Sequence, residues 1–130
     1  MKIPLWKPRL VETYKNFNII LDFLEDDKNP RDHFINECRW TKEQYNKIKN
    51  NYFFCACIEV YKGNVLCGSS YLGACCYKNL DEVLGDKTEE TILSGYYKQL
   101  RDEAIEEAEK RLAGDLSNFV YSHNLNKLIR

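Results

Sequence analysis

The chain is predicted to fold as an α+β domain, a small antiparallel β-sheet built on a central hairpin and packed on one face by N-terminal and C-terminal helices. Three observations predict it. YFFCACIEVY and VLCGSSYL are aromatic and β-branched runs separated by the turn signal KGN, which together spell a β-hairpin. The segments on either side instead carry apolar residues at three- and four-residue steps, the period of amphipathic helices. Strands and helices come in runs and do not alternate, which disfavours a doubly wound parallel fold. With 130 residues, 44% of them hydrophobic, a single domain over 1–130 can bury a core without cross-links.

Residues 1–8 read as an extended basic arm, because Pro4 and Pro8 fix φ and remove amide donors between Lys2 and Lys7. Residues 9–50 read as helices. Leu10, Tyr14, Phe17, Leu21 and Leu24 suggest a first helix from Arg9 to about Asp26, ended by the breaker pair Asn29 and Pro30. PRDHFINECRW follows as a short second helix with Phe34, Ile35 and Cys38 on one side. Thr41 and Gln44 then match a capping box, predicting a third helix over TKEQYNKIKNN. Residues 52–77 are the hairpin and sheet, with a short helix or loop around Leu80 to Leu84. Residues 88–130 return to helix: Ile92, Tyr96, Leu100, Ala104, Ala108 and Leu112 repeat every four residues, although Gly95 costs about 1 kcal/mol relative to alanine. Gly114 is expected to cap that helix, and a terminal helix to place Leu116, Phe119 and Val120 inward.

A mean hydropathy of −0.56 and the absence of any apolar run near ~18 residues exclude a membrane-spanning helix. Pro4, Trp6, Lys7, Pro8 and Arg9 interrupt any secretory h-region, so the expected location is the cytoplasm. There thiols stay reduced, which argues against a disulfide framework.

Cys55, Cys57, Cys67, Cys75 and Cys76 are the candidate metal ligands. Zinc needs sulfurs that converge, and structural sites usually present them on C-x2-C to C-x4-C knuckles. Here the spacings are C-x-C and C-C. If the hairpin turn is Gly63 and Asn64, Val60 opposes Cys67 and Cys57 opposes Ser70. Strand alternation then puts Cys55, Cys57 and Glu59 on one face and Cys67 on the other. A bulge at Gly68 could slip the register and reunite them. Small apolar packing is the leading reading of these thiols, and a zinc- or thiol-dependent regulatory module the alternative.

Catalytic signatures are missing: no Gly-rich phosphate loop, no G-x-S-x-G and no H-E-x-x-H. His33 and Glu37 fall on one helical face just before Cys38, which reads as a surface pair, and His123 has no evident partner. The chain is therefore expected to be no enzyme and to need no cofactor.

Charge is the more informative pattern. Residues 79–109 hold ten acidic side chains against three basic ones, in a chain whose net charge is −1. Glu103, Glu106 and Glu107 project a carboxylate strip that could meet a basic partner. The complementary candidate is a basic aromatic surface of Trp6, Lys7, Arg9, Arg39 and Trp40. Direct nucleic-acid binding ranks lower, because a sequence pI of about 6.1 supplies no basic excess.

The run from the aromatic strand through YKGNVLCGSSYLGACCY to YYKQLRDEAIEEAEKRL, about residues 52 to 112, resembles small phage and prophage accessory proteins. In these an S-x-L-G-x-C-x-Y segment precedes a helix rich in Glu and Ala. The resemblance implies a non-enzymatic inhibitor of host defence, of which anti-CRISPR proteins are examples, whose partner is a host protein or nucleoprotein complex such as a nuclease. It carries no site residue over, since that class shares no active-site motif.

Overall fold

Four strands, β1 (Arg9–Tyr14), β2 (Phe17–Leu24), β3 (Tyr52–Lys62) and β4 (Val65–Tyr77), form one antiparallel sheet in the order β1-β2-β3-β4. This is a computed structural model, which describes residues 1–129, with side chains through residue 114. The α+β class with a central hairpin stands. The helix expected from Arg9 to Asp26 does not: that segment is the β1-β2 hairpin. In FNIILDFL a period of two overrides the three-four spacing, and Phe17, Ile19, Leu21 and Phe23 are buried on alternate positions. The turn has no glycine to announce it. Lys15 takes the left-handed conformation instead, at φ 53°.

Between β2 and β3 a π-turn (Asp32–Glu37) and α1 (Lys42–Ile48) cross one end of the sheet. Thr41 caps α1 as predicted: its hydroxyl accepts from the Gln44 amide at 3.1 Å, and the Gln44 side chain accepts from the Thr41 amide at 2.9 Å. The first residues are docked, because the Lys2 amide donates to the Asn51 carbonyl and the Phe53 amide donates to Lys2, a parallel bridge beyond the end of β2. After β4 come α2 (Leu80–Leu84), a tight turn (Ile92–Gly95) and the long helix α3 (Tyr97–Ile129). The expected start of that helix near Thr88 moves to Tyr97, since Leu93 and Ser94 are left-handed. The break expected at Gly114 is absent, as α3 runs through it. The side chains of Leu116, Phe119, Val120 and His123 lie outside the described residues.

The core lies between one face of the sheet and α3. Ile19, Leu21, Phe54, Ala56, Ile58 and Val60 meet Tyr97, Leu100, Ala104 and Ala108. Two contacts set the approach of helix to sheet. A β-carbon on Gly68 would strike the Ala104 carbonyl oxygen and come within 2.9 Å of the Ala108 nitrogen, so only glycine admits the helix this close. Next to it, the buried Ser70 hydroxyl donates to the Leu100 carbonyl at 2.6 Å.

Two bulges shift the β3-β4 register. Near the turn Lys62 opposes Val65 and Tyr61 opposes Leu66, but Val60 then opposes Gly68, which leaves Cys67 as the extra residue. Further along, Ala56 opposes Leu72 while Phe54 opposes Cys75. There Ala74 is left-handed at φ 54°, and its amide donates to the Asp26 carboxylate at 2.6 Å.

Candidate functional site

The anticipated bulge exists, yet it does not gather the thiols. Cys67 and Cys75 join the core beneath α3, whereas Cys57 lies on the opposite face beside Asp22, Glu59 and Tyr71. Among the described residues no three histidine, cysteine or acidic side chains converge as metal ligands. Burial pushes the thiols of Cys57 and Cys75 up to about 12 and also raises Cys55 and Cys76, so these sulfurs hold their protons and act as small apolar groups.

The basic aromatic candidates are divided. Trp6 is half-buried at the edge of the core, with its ring 5.2 Å from Phe23, 4.7 Å from Tyr52 and 5.7 Å from Phe54. Trp40 packs on Phe34 at 4.7 Å, and Phe34 in turn contacts Phe53. Phe53 and Phe54 are successive strand residues facing opposite sides, so the two tryptophans flank different faces of the sheet. Lys7, Arg9 and Arg39 are exposed. The indoles serve as packing groups, and the five residues do not form one stacking surface.

The acidic candidates fare differently. Glu103, Glu106 and Glu107 are all exposed on α3. Glu106 and Asp102 line an open groove of about 520 Å³ that also takes Glu12 and Tyr14 from β1 and Arg101, Ile105 and Glu109 from the helix. A second, shallower groove holds Glu103 with Gly95, Lys98, Gln99, Asp102 and Glu106. Glu107 lines neither. Sequence reasoning missed Glu12, because its segment was read as helix. As a strand residue it is carried across to α3 by the sheet.

Arg101 organises this side. Its side chain is only 15% exposed, and the guanidinium pairs with Glu89 at 2.8 Å, Asp102 at 3.1 Å and Glu12 at 3.4 Å. It also lies 5.6 Å from the centre of the Tyr97 ring. The Tyr97 hydroxyl is buried without a hydrogen-bond partner among the described residues, and burial raises its pKa. One cation thus faces three carboxylates, and further along α3 Glu106 is matched by Lys110 and Glu109 by Lys15. The groove keeps an acidic excess.

A separate cluster forms on the π-turn. His33 Nδ1 lies 3.0 Å from Glu37 Oε2, and His33 Nε2 lies 3.6 Å from the Cys38 sulfur. Lys28 holds the same Glu37 oxygen at 2.9 Å. The hydrogen bond from Lys28, and then that from His33, lowers the Glu37 pKa, so its carboxylate is charged and accepts from both.

No protein-family model, curated protein or solved structure matches the chain. Among the described residues no helix is long and apolar enough to cross a membrane.

Proposed function

We propose that the protein is a phage-type binding protein that inhibits a host macromolecule, a defence nuclease or its nucleoprotein complex, by occupying a basic surface with the acidic side of α3. The observation that carries the reading is the convergence of Glu12 from β1 with Asp102, Glu106 and Glu109 from α3 around a single engaged arginine. Helix carboxylates three or four positions apart stand about 5–6 Å from one another, a row of negative charge suited to a cationic groove. Held on a helix fixed to the sheet, they bind without first being ordered, which lowers the entropic cost of association. The choice of a nuclease as target rests on the resemblance of residues 52 to 112.

The test is co-purification from bacterial lysate followed by nuclease inhibition, comparing the wild type with Glu103→Lys/Glu106→Lys/Glu109→Lys, three exposed groove residues. The expected result is recovery of a nuclease or nucleoprotein complex, a salt-sensitive association, and at least a tenfold weaker inhibition by the triple variant. Recovery of no such complex, together with unchanged behaviour of the variant, overturns the reading.

A further inference from the structure

Five of the six cysteines belong to the β3-β4 hairpin, and the sixth, Cys38, is surrounded quite differently. It is exposed, outside the sheet, and within reach of a histidine that is itself held by a carboxylate. We propose that Cys38 is a nucleophilic thiol activated by His33, with Glu37 as the orienting residue, and that it exchanges with small disulfides to form a mixed disulfide.

The geometry begins with the turn. On a helix of 3.6 residues per turn, a residue five positions on lies about 140° around the axis, so Cys38 and His33 would point apart. Here the Cys38 amide donates to the His33 carbonyl at 2.9 Å, the five-residue closure of a π-turn. The wider turn brings both the fourth and the fifth residue beside His33. Glu37 and Cys38 therefore contact opposite nitrogens of one ring.

The roles follow from those contacts. A charged carboxylate can only accept, so Nδ1 carries a proton and donates to Glu37, and in the neutral ring the Nε2 lone pair is then directed at the Cys38 sulfur. The ring is also packed, with its centre 4.9 Å from Phe34 and 6.1 Å from Phe53, and its side chain is only 17% exposed. Lys28 fixes Glu37 from the far side. This is a nucleophile, a base and an orienting group in hydrogen-bonded sequence.

Disulfide exchange suits the setting. Cys38 lines none of the grooves described above, so it faces solvent and meets a small reagent instead of an enclosed substrate. Nε2 takes the proton from Cys38 Sγ, and the thiolate attacks one sulfur of the incoming disulfide. The reagent's S–S bond breaks as the Cys38 Sγ–S bond forms. The released thiolate recovers the proton from the imidazolium. Cys38 is oxidised, one half of the reagent is reduced, and no other oxidant is required. The inference is independent of the acidic side of α3.

The experiment is the reaction of the intact, reduced protein with oxidised glutathione and with a chromogenic aromatic disulfide at pH 7, with adducts located by peptide mass mapping. One thiol is expected to react well ahead of the rest, and to be Cys38. Cys38→Ser should abolish that fast phase. His33→Gln should slow it about tenfold or more at pH 7, and its deficit should vanish near pH 10, where a thiol needs no base. Because His33 packs on aromatic rings, Glu37→Gln on the exposed side provides a second variant, with an intermediate rate. Adducts spread over several cysteines, or a Cys38 rate unchanged in both His33→Gln and Glu37→Gln, overturns the proposal. So does a lead for Cys38 that persists in full in denaturant.

Discussion

Replacing Gly68 by alanine perturbs the closest approach between α3 and the sheet. The added methyl would overlap the Ala104 carbonyl oxygen and stand 2.9 Å from the Ala108 nitrogen. Both are backbone atoms of a helix, so no side chain can rotate away and the whole helix must retreat. Forcing a group into a packed core typically costs about 1–3 kcal/mol, and a rigid obstacle puts this case near the top at about 3 kcal/mol. The same retreat stretches the 2.6 Å bond between Ser70 and the Leu100 carbonyl, whose loss adds about 1 kcal/mol. Against a total stability of about 5–15 kcal/mol this is a severe change. For a domain of this size it corresponds to a fall in Tm of roughly 10–15 °C. Urea unfolding followed by circular dichroism measures it as a lowered midpoint with little change in slope. Gly114→Ala serves as the control. It lies in the same helix with open space around it and is expected to stabilise by up to about 1 kcal/mol. Equal stability of Gly68→Ala and wild type would refute the claim that glycine sets the helix-sheet distance.

Three further outcomes are expected. Ala74→Gly should stabilise by about 1 kcal/mol in urea unfolding, since alanine is left-handed there and glycine is not strained by that conformation. Arg101→Met should lower the melting temperature, the loss shrinking at high salt, because Glu12, Glu89 and Asp102 are left facing one another. Glu59 has its pKa raised from 4.5, first by burial and then by the neighbouring Asp22. The folded state therefore holds this proton more tightly than the unfolded one. That contribution is complete below the ordinary carboxylate range and disappears as pH rises through the folded value. Glu59→Gln should accordingly be more stable than the wild type at pH 7, with an advantage that vanishes below about pH 4 in pH-dependent thermal melts.

The parts of the fold legible in the sequence were those with local chemical signals. The Gly63 and Asn64 turn stands where KGN placed it, and the Thr41 capping box is formed as its spacing implied. The β1-β2 hairpin was misread because its apolar residues satisfy both periods at once. Leu10, Tyr14, Phe17, Leu21 and Leu24 fit a helix, while Phe17, Ile19, Leu21 and Phe23 fit a strand. Only pairing with β3, a contact about 40 residues away in sequence, decides between them. Of the acidic surface, Glu103, Glu106 and Glu107 could be seen because a helix places them by sequence spacing. Glu12 could not, since a tertiary contact brings it there. The His33 and Glu37 pair was legible for the same local reason. Cys38 was instead placed on the side of Phe34 and Ile35, because α-helical geometry, the default assumption, turns a fifth residue away from His33.

The two bulges of β4 have a consequence for the sheet as a whole. β4 is its longest strand, 13 residues, and stands at an edge with one side unpaired. An edge of that length in regular register would template another chain's backbone. The extra residue at Cys67 and the left-handed Ala74 break its outer row of amides and carbonyls into short stretches of differing twist. The irregularities that look like flaws in the hairpin therefore also act against self-assembly.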